Sequence, residues 1–431
     1  MSSSERAPLA DLHARLDLGA ERIFDRMIAW RRDFHAHPEL GNQEFRTAGI
    51  VADHLERLGF DEVRRGLGGS TGVIGILKGG QPGPCVALRA DMDALPVQER
   101  TGLDFASTAR ASWGGEEVPV MHACGHDAHT AVQMAVAELL AEERAALKGS
   151  VMLVFQPAEE GPAPDWQGMS GAERLVSDGV FDDPKPDAFF CFHVLQDERP
   201  GTAGEIRLHE GDGTYAMSML RITIEGRGGH GAYPWRTVDP LLIGAQILTA
   251  LQSVPAKNVD VNENAVTLSI GIFKGGTKFN VIPKEAMLEG ALRFTDAESG
   301  PYLEGRVEAI AKGIAEAAGG SAEVNWYARI PIVHNDPELT RMMRPSLERV
   351  APEEKPVVEV QSCFLDDVSN FSKVAPLMFF TVGVGLDEGD SGRSGFHHEE
   401  DFQVNEAGLL TALRSMVNLA VDYGYRRTDN A

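Results

Sequence analysis

The chain of 431 residues is too long for one ordinary hydrophobic core and points to two domains. Its 43% hydrophobic and 24% charged residues are those of a soluble globular protein, and a net charge of -24 argues against nucleic acid as a partner, because an acidic surface repels phosphate backbones. The start is short and polar, no apolar run is long enough to span a bilayer, and Cys85, Cys124, Cys191 and Cys363 follow no disulfide spacing, so a reducing, cytoplasmic setting without a membrane partner is expected.

Residues 21–32 carry Ile23, Met27 and Trp30 at helical spacing, and this helix is expected to end before Pro38. His35 and His37 at its end read as structural. A second amphipathic helix is predicted over 47–58, closed by Gly59. Residues 73–77 and 86–88 read as strands, and the second delivers Asp91. The stretch Met121-His122-Ala123-Cys124-Gly125-His126-Asp127-Ala128-His129-Thr130 then gathers five potential ligands, His122, Cys124, His126, Asp127 and His129. Thiolate and imidazole suit zinc, manganese, cobalt or iron far better than magnesium or calcium. A helix follows, with Val132, Val136, Leu139 and Leu140 on one face. A strand at 151–155 ends in Gln156-Pro157-Ala158-Glu159-Glu160, and another at 188–192 ends in His193. Strands alternating with helices predict a mostly parallel α/β sheet, whose functional groups collect at the carboxyl ends of the strands. Asp91, Glu159, Glu160 and His193 all fall there. Solvation of loop ends explains any one of them and explains the set poorly.

After Tyr215 the pattern changes. A strand at 219–224 leads into a glycine-containing stretch from Gly226 to Pro234 that holds His230. A helix at 241–251, strands at 266–272 and 286–294 around Asn280-Val281-Ile282-Pro283, a helix at 307–318 and a strand at 322–327 follow. The order β-α-β-β-α-β predicts a ferredoxin-like α+β domain over 215–328, inserted in a catalytic α/β domain of 1–214 and 329–431. The catalytic part resumes with a helix at 339–349 and a strand at 378–384. Gly395-Phe396-His397-His398-Glu399-Glu400-Asp401-Phe402 adds ligands before a closing helix at 408–423.

Cys124, His126, Glu159, Glu160, His193 and His397 are enough for two metal ions with a shared ligand. Two such ions activate a water and polarise a carbonyl together, while one carboxylate of the Glu159-Glu160 pair binds metal and the other acts as general base. On these residues the chain resembles the metal-dependent aminoacylase/carboxypeptidase G superfamily, specifically its hippurate hydrolase and indole-acetyl-amino-acid hydrolase branch. The matching stretches are 31–44, 88–96, 121–130, 155–161, 192–194, 226–234, 275–283 and 396–402, in the family's order.

The resemblance implies two divalent transition-metal ions per subunit, zinc or manganese, with cobalt, nickel or iron as alternatives. It implies Cys124 as bridging thiolate, His126, Glu160, His193 and His397 as further ligands, Glu159 as general base, and Asp91 as the carboxylate that orients a ligating histidine. His397 is taken over His398 because it follows the apolar Phe396. His122 and His129 are left as loop or helix-start residues, and Asp127 as a helix cap or a group behind the ligands. His230 of a second subunit would stabilise the oxyanion, and Asn280 and Arg293 would hold a substrate carboxylate, although a strand-face salt bridge explains Arg293 equally well. A homodimer or larger assembly of dimers follows, acting on a small molecule that carries a carboxylate.

The expected reaction is hydrolysis of the amide bond of an N-acyl or N-aroyl amino acid. The rivals are hydrolytic deamination of an activated aromatic amine such as a nitroanthranilate, and a non-catalytic binding relative that would have lost ligands. This chain departs from the branch at Trp235, where histidine is frequent, at Ala256-Lys257, and in extra length from Ala163 to Gly168. These differences bear on the substrate more than on the metal chemistry.

Overall fold

The computed structural model describes residues 3–161, 168–196, 201–261, 264–361, 365–387 and 394–427. Cys363 and all of the extra segment except Gly168 lie outside the described residues. Contacts divide the chain into two units. One is Met1–Gly211 with His334–Gln361 and Asp367–Ala431, and the other is Asp212–Val333 with Ser362–Asp366.

The first unit is built on eight strands: β1 (Glu62–Leu67), β2 (Gly72–Lys78), β3 (Gln81–Asp91), β4 (Lys148–Gln156), β5 (Ala188–Leu195), β6 (Ile206–Leu208), β7 (Val358–Glu359) and β8 (Leu377–Gly383). They form one sheet in the order β1-β2-β4-β3-β5-β8-β6-β7. Its centre, β4-β3-β5-β8, is parallel, with Leu88 opposite both Leu153 and Phe190, and Phe380 opposite Phe192. Such strands are covered on both faces, so they read as unbroken apolar runs; β5 is Ala-Phe-Phe-Cys-Phe-His-Val-Leu and is buried up to its last residue. The antiparallel β1 and β2 extend one side, and β6 pairs antiparallel with β8 on the other.

The longer helices around this sheet, among the described residues, are α1 (Ser3–Ala36), α2 (Phe45–Arg57), α3 (His126–Glu142), α4 (Pro337–Val350) and α5 (Leu409–Arg427). The first helix begins well before the 21–32 read from the sequence. Leu9, Leu12, Leu16 and Ala20 carry the same buried stripe back from Ile23 and Met27, on a helix otherwise crowded with charge.

The second unit is a four-stranded antiparallel sheet in the order Val266–Gly275, Glu285–Phe294, Ala216–Glu225, Ser321–Ile330, with helices Pro240–Leu251 and Gly300–Ala317. Its chain order is β-α-β-β-α-β. Strand alternation turns Leu220, Ile222, Ile224, Leu288 and Leu292 to one face, where Ile243, Ile247, Leu303 and Val307 of the two helices complete a separate core. The last strand runs to Ile330, which carries the unit past residue 328. Gly229–His230 and Val281–Ile282 pair as a small ribbon that leaves the sheet at the Glu225/Glu285 end. Among the described residues no helix is long and apolar enough to cross a membrane.

Candidate metal centre

The parallel strands deliver their carboxyl ends to one edge, and the candidate residues assemble there. β3 ends at Asp91, β4 runs through Pro157 into Glu159 and Glu160, β5 carries His193, and α3 starts at His126 two residues after Cys124. Gly125 makes that spacing work. Its φ is 98°, and a Cβ there would stand 2.3 Å from Val194 Cγ2, so no larger residue lets the Cys124–His126 turn lie against β5. Two non-glycine residues in the left-handed region flank the site, Ala158 (φ 48°) and His398 (φ 70°). Such backbone persists only where its surroundings hold it. Here Ala158 N–H donates to Glu44 Oε1 at 2.9 Å, and His398 N–H donates to Ala123 O at 2.8 Å. The Asp93 carboxylate takes the N–H groups of Glu159 and Glu160, both at 3.0 Å, and fixes the pair.

Cys124, His126 and His193 offer ligand atoms within 4.8 Å of one another, and so do Cys124, Glu160 and His398. The thiol is common to both groups. Cys124 Sγ is 3.4 Å from His193 Nε2, and His398 Nε2 is 2.9 Å from Glu160 Oε1. His126 Nδ1–H donates to Asp93 O at 2.8 Å, which leaves Nε2 as the lone-pair nitrogen. That atom is fully buried without a hydrogen-bond partner, 3.8 Å from Glu159 Oε2. Buried polar atoms are nearly always satisfied, and a cation bound at this point satisfies this one. The soft and borderline donors fit a divalent transition metal.

Of the two adjacent histidines, the geometry gathers His398 with the ligands. His397 Nε2 accepts Gln196 N–H at 3.0 Å, so in the neutral ring Nδ1 carries the proton and faces Cys124 Sγ at 3.8 Å as a donor. His397 also packs its ring on His193 and Phe402, with centroids 5.4 and 4.8 Å away. The left-handed turn at His398 sends the two side chains to different tasks.

Asp91 is fully buried, donates no ligand to either Cys124 group, and contacts His129 Nδ1 at 2.5 Å. His129 Nε2 in turn accepts Val194 N–H at 2.9 Å, so both ring nitrogens are occupied. Its ring lies between His126 and His193, at 5.5 and 4.5 Å. Arg89 pairs with Asp91 Oδ2 at 2.7 Å and reaches Gln156 Oε1 and Asp367 Oδ1 at 2.8 and 3.3 Å. Asp127 faces away, paired with Arg31 Nε and His35 Nδ1, both at 2.8 Å. His35 is therefore structural, as expected. Sequence reasoning passed over Arg89, Asp93 and the task of His129; the acidic pair at the end of β3, Asp91-Met92-Asp93, was the signal for one of them.

In the inserted unit, His230 is exposed and its Nδ1 accepts Ala232 N–H at 3.0 Å, so the neutral ring carries its proton on Nε2. Asn280 sits beside it: Gly231 N–H donates to Asn280 O at 2.9 Å, and Asn280 Oδ1 has no hydrogen-bond partner. Arg293 is elsewhere. It is the penultimate residue of Glu285–Phe294, opposite Met217 and Thr267, whereas the ribbon leaves from the Glu285 end. Eight residue steps along the strand put Arg293 about 27 Å from Glu285.

Residues 87–422 match the peptidase family M20/M25/M40. The chain belongs to this family. It is 35% identical to the N-acetylcysteine deacetylase of Bacillus subtilis over 93% of its own length and 98% of that protein. It is 37% identical to the hippurate hydrolase of Campylobacter jejuni over 72% of this chain and 74% of that one. A crystal structure from Bacillus subtilis, described as a dinuclear metal-binding peptidase of the M20 family, superposes with a TM-score of 0.74 at 31% identity and covers 94% of this chain and 99% of its own. This M20 protein is thus a hydrolase of amide bonds with a divalent-metal centre.

The charges of the M20 centre call for cations. Burial, reinforced by Glu160, Glu159 and Asp91, pushes the Cys124 thiol well above its usual range. Burial opposes charge on His126, yet Asp91 and Asp93 outweigh it and push that imidazole up to about 10. Burial alone would raise Asp91, but Arg89, His126 and His129 hold it well below the usual carboxylate range. Away from the acids the sign reverses: burial, with His129 and His397, drives His193 well down, and burial with His398 lowers His397 to about 3. A pocket that draws a proton onto His126 and keeps a thiol neutral is answered by a dication, which binds the thiolate and the imidazole lone pair instead.

Proposed function

We propose that this chain is a two-metal amidohydrolase that cleaves the amide bond of an N-acyl or N-aroyl amino acid. The observation that carries the reading is the sharing of Cys124 between two ligand groups, with Glu159 beside them in a further group with His126 and Glu160. Cys124 would be shared by the two ions, with His126 and His193 holding one and Glu160 and His398 the other; here His398 is proposed in the place the sequence reading gave to His397. When bound, the ions polarise the scissile carbonyl and bring the pKa of a water down to about 7. Glu159 accepts the water proton and returns it to the leaving amine nitrogen. Its Oε1 is 3.4 Å from Asp367 N–H, which keeps the carboxylate turned toward its task. Asp91, anchored by Arg89, orients His129, on which the ring of His126 stacks and against which that of His193 packs edge-on.

His230 donates Nε2–H to the developing oxyanion, and Asn280 and Arg293 hold the substrate carboxylate. As the resemblance implies, His230 would come from a second subunit, in a homodimer or an assembly of dimers; Arg293 stands about 27 Å along its strand from the end that bears the ribbon. Half-exposed Ile272 and Phe273 on the edge strand Val266–Gly275, and Leu242 on the helix above it, supply an apolar contact surface for that pairing. Zinc or manganese suits the donors, with cobalt, nickel or iron admitted by the same set. A cytoplasmic location fits a centre that needs a reduced thiol, in a chain whose Cys85 is also free.

The test is hydrolysis of N-acetyl and N-benzoyl amino acids by metal-loaded protein, read by mass spectrometry as release of the free amino acid. Glu159→Gln is expected to keep both ions and to lose about 100- to 10,000-fold in turnover. Full activity in that variant, or release of ammonia in place of an amino acid, contradicts the reading.

A further inference from the structure

We infer that the Asp367 side chain is the positioning residue of the general base: it locks the backbone N–H that holds the Glu159 carboxylate to the strand ends that carry the centre. This deepens the reading of the site given above and rests on it.

The Glu159 carboxylate is held between two points. Its Oε2 lies 3.8 Å from His126 Nε2, toward the ligands, and its Oε1 lies 3.4 Å from the Asp367 N–H. A base must meet the water proton at hydrogen-bond distance, and a displacement of about 1 Å costs up to about 100-fold in rate. Whatever fixes Asp367 therefore fixes the base.

Asp367 is fully buried, and its carboxylate accepts N–H groups from three elements. Oδ1 takes Gln156 Nε2–H at 2.7 Å and Arg89 Nη2–H at 3.3 Å, and Oδ2 takes the Ala172 N–H of the short helix Gly171–Ser177 at 2.8 Å. Gln156 Oε1 in turn accepts Arg89 Nε–H at 2.8 Å, so Arg89, Gln156 and Asp367 close a ring of hydrogen bonds. Arg89 and Gln156 stand on the neighbouring parallel strands β3 and β4, whose ends place Asp91 opposite Gln156. The ring thus joins Arg89, which also holds Asp91 at 2.7 Å, to the end of β4 that runs on into Glu159. Both oxygens of Asp367 are engaged by N–H donors, as befits a support and not a metal ligand.

Packing holds the rest of the segment. Asp367–Lys373 lays Phe371 flat on Phe189 of β5, with ring centroids 4.8 Å apart and planes within 4°, and Asn370 Nδ2–H donates to Asp367 O at 2.9 Å. A buried network in which each member finds its partners rigidifies the backbone that carries it. Asparagine cannot take this place. An amide offers one acceptor oxygen and one donor NH2, so either orientation turns N–H toward N–H, at Ala172 or at the Gln156–Arg89 side. The disturbance reaches Glu159 through the Asp367 N–H and removes no ligand.

The experiment measures kcat, KM and metal content for amide hydrolysis by the metal-loaded full chain, for the wild type, Asp367→Asn, Glu159→Gln and the double variant. Asp367→Asn is expected to keep both ions and the KM and to lower kcat about 10- to 100-fold. In the Glu159→Gln background the same replacement is expected to cost about twofold or less, because the base it positions is gone. Gln156→Met removes the 2.7 Å bond to Asp367 and is expected to repeat this pattern at smaller size, which carries the test if Asp367→Asn does not fold. An unchanged kcat overturns the inference and leaves the amidohydrolase reading standing. Loss of an ion overturns it too, as does an equal fall in both backgrounds, which makes Asp367 a support of the fold alone. A wild type that hydrolyses no amide sinks both.

Discussion

Replacing His398 and His397 one at a time separates the ligand from the support. His398 Nε2 is one of three ligand atoms in the group with Cys124 and Glu160, so His398→Ala leaves that ion two protein donors. Loss of an outer partner of a ligand already weakens metal binding by about 10- to 100-fold, and loss of a ligand exceeds that. After dialysis, elemental analysis should therefore find one ion per subunit, the one held with His126 and His193, and amide hydrolysis should be lost. His397→Ala removes no lone pair from the centre. It removes the acceptor of the buried Gln196 N–H and the ring that packs on His193 and Phe402. An unmet buried donor costs about 1–3 kcal/mol. Urea unfolding should show a loss of that size while both ions stay bound. If His397→Ala loses an ion and His398→Ala keeps two, the ligand reasoning fails.

Gly125→Ala places a Cβ 2.3 Å from Val194 Cγ2 at a φ of 98° and should lower stability by about 1–3 kcal/mol, whereas Gly313→Ala, within a helix and with nothing near its Cβ, should raise it by about 0.5–1 kcal/mol; equal thermal shifts would refute the close approach. Burial lowers the His54 pKa from 6.5 to about 4, against the raising pull of its hydrogen bond to Met134 O. Between those values the unfolded chain binds the proton and the folded chain does not, so stability is complete above pH 6.5 and falls as pH falls, by about 2 kcal/mol at pH 5. His54→Gln should remove that share of the difference in urea unfolding between pH 7.5 and pH 5, and an unchanged difference would show that His54 is not its source. Because the two units have separate cores, a chelator should lower the unfolding transition of the catalytic unit and spare that of the inserted one. At a metal concentration of 100 Kd the loss is about 2.7 kcal/mol, and calorimetry that finds both transitions moved equally contradicts the placement of the ions.

The sequence pattern revealed the parts of the fold whose signal is periodic or continuous. The four central strands each carry an apolar run, and the inserted domain alternates and then turns helical in an order that admits few topologies. The edge strand β1 did not show, because its Glu-Val-Arg-Arg-Gly-Leu is largely exposed and carries no period. That Cys124, His126, Glu160 and His193 would come together was legible because parallel strands must deliver their ends to one edge. The choice between His397 and His398 was not, since it depends on a positive φ at His398, and nothing in His-His-Glu-Glu announces a left-handed turn. Arg293 was equally ambiguous: its distance from the ribbon is a property of strand length that becomes visible only once the register is known.

The strained turns and the charge pattern of this centre have one cause. Asp91, Asp93, Glu159 and Glu160 converge on Cys124 and His126, and in a buried site such charges repel strongly unless cations stand between them. A backbone in ordinary conformations would spread these side chains apart. The left-handed Ala158, held by Glu44, turns Glu159 and Glu160 inward, and the left-handed His398, held by Ala123 O, brings a nitrogen to Glu160. Glu44 can serve there without adding to the repulsion, because burial and Asp93 push its carboxyl up to about 8 and keep it protonated at neutral pH. Protonated, it still accepts the Ala158 N–H. The scaffold thus uses a neutral acid beside Ala158 and a charged one, Asp91, against Arg89 and His129.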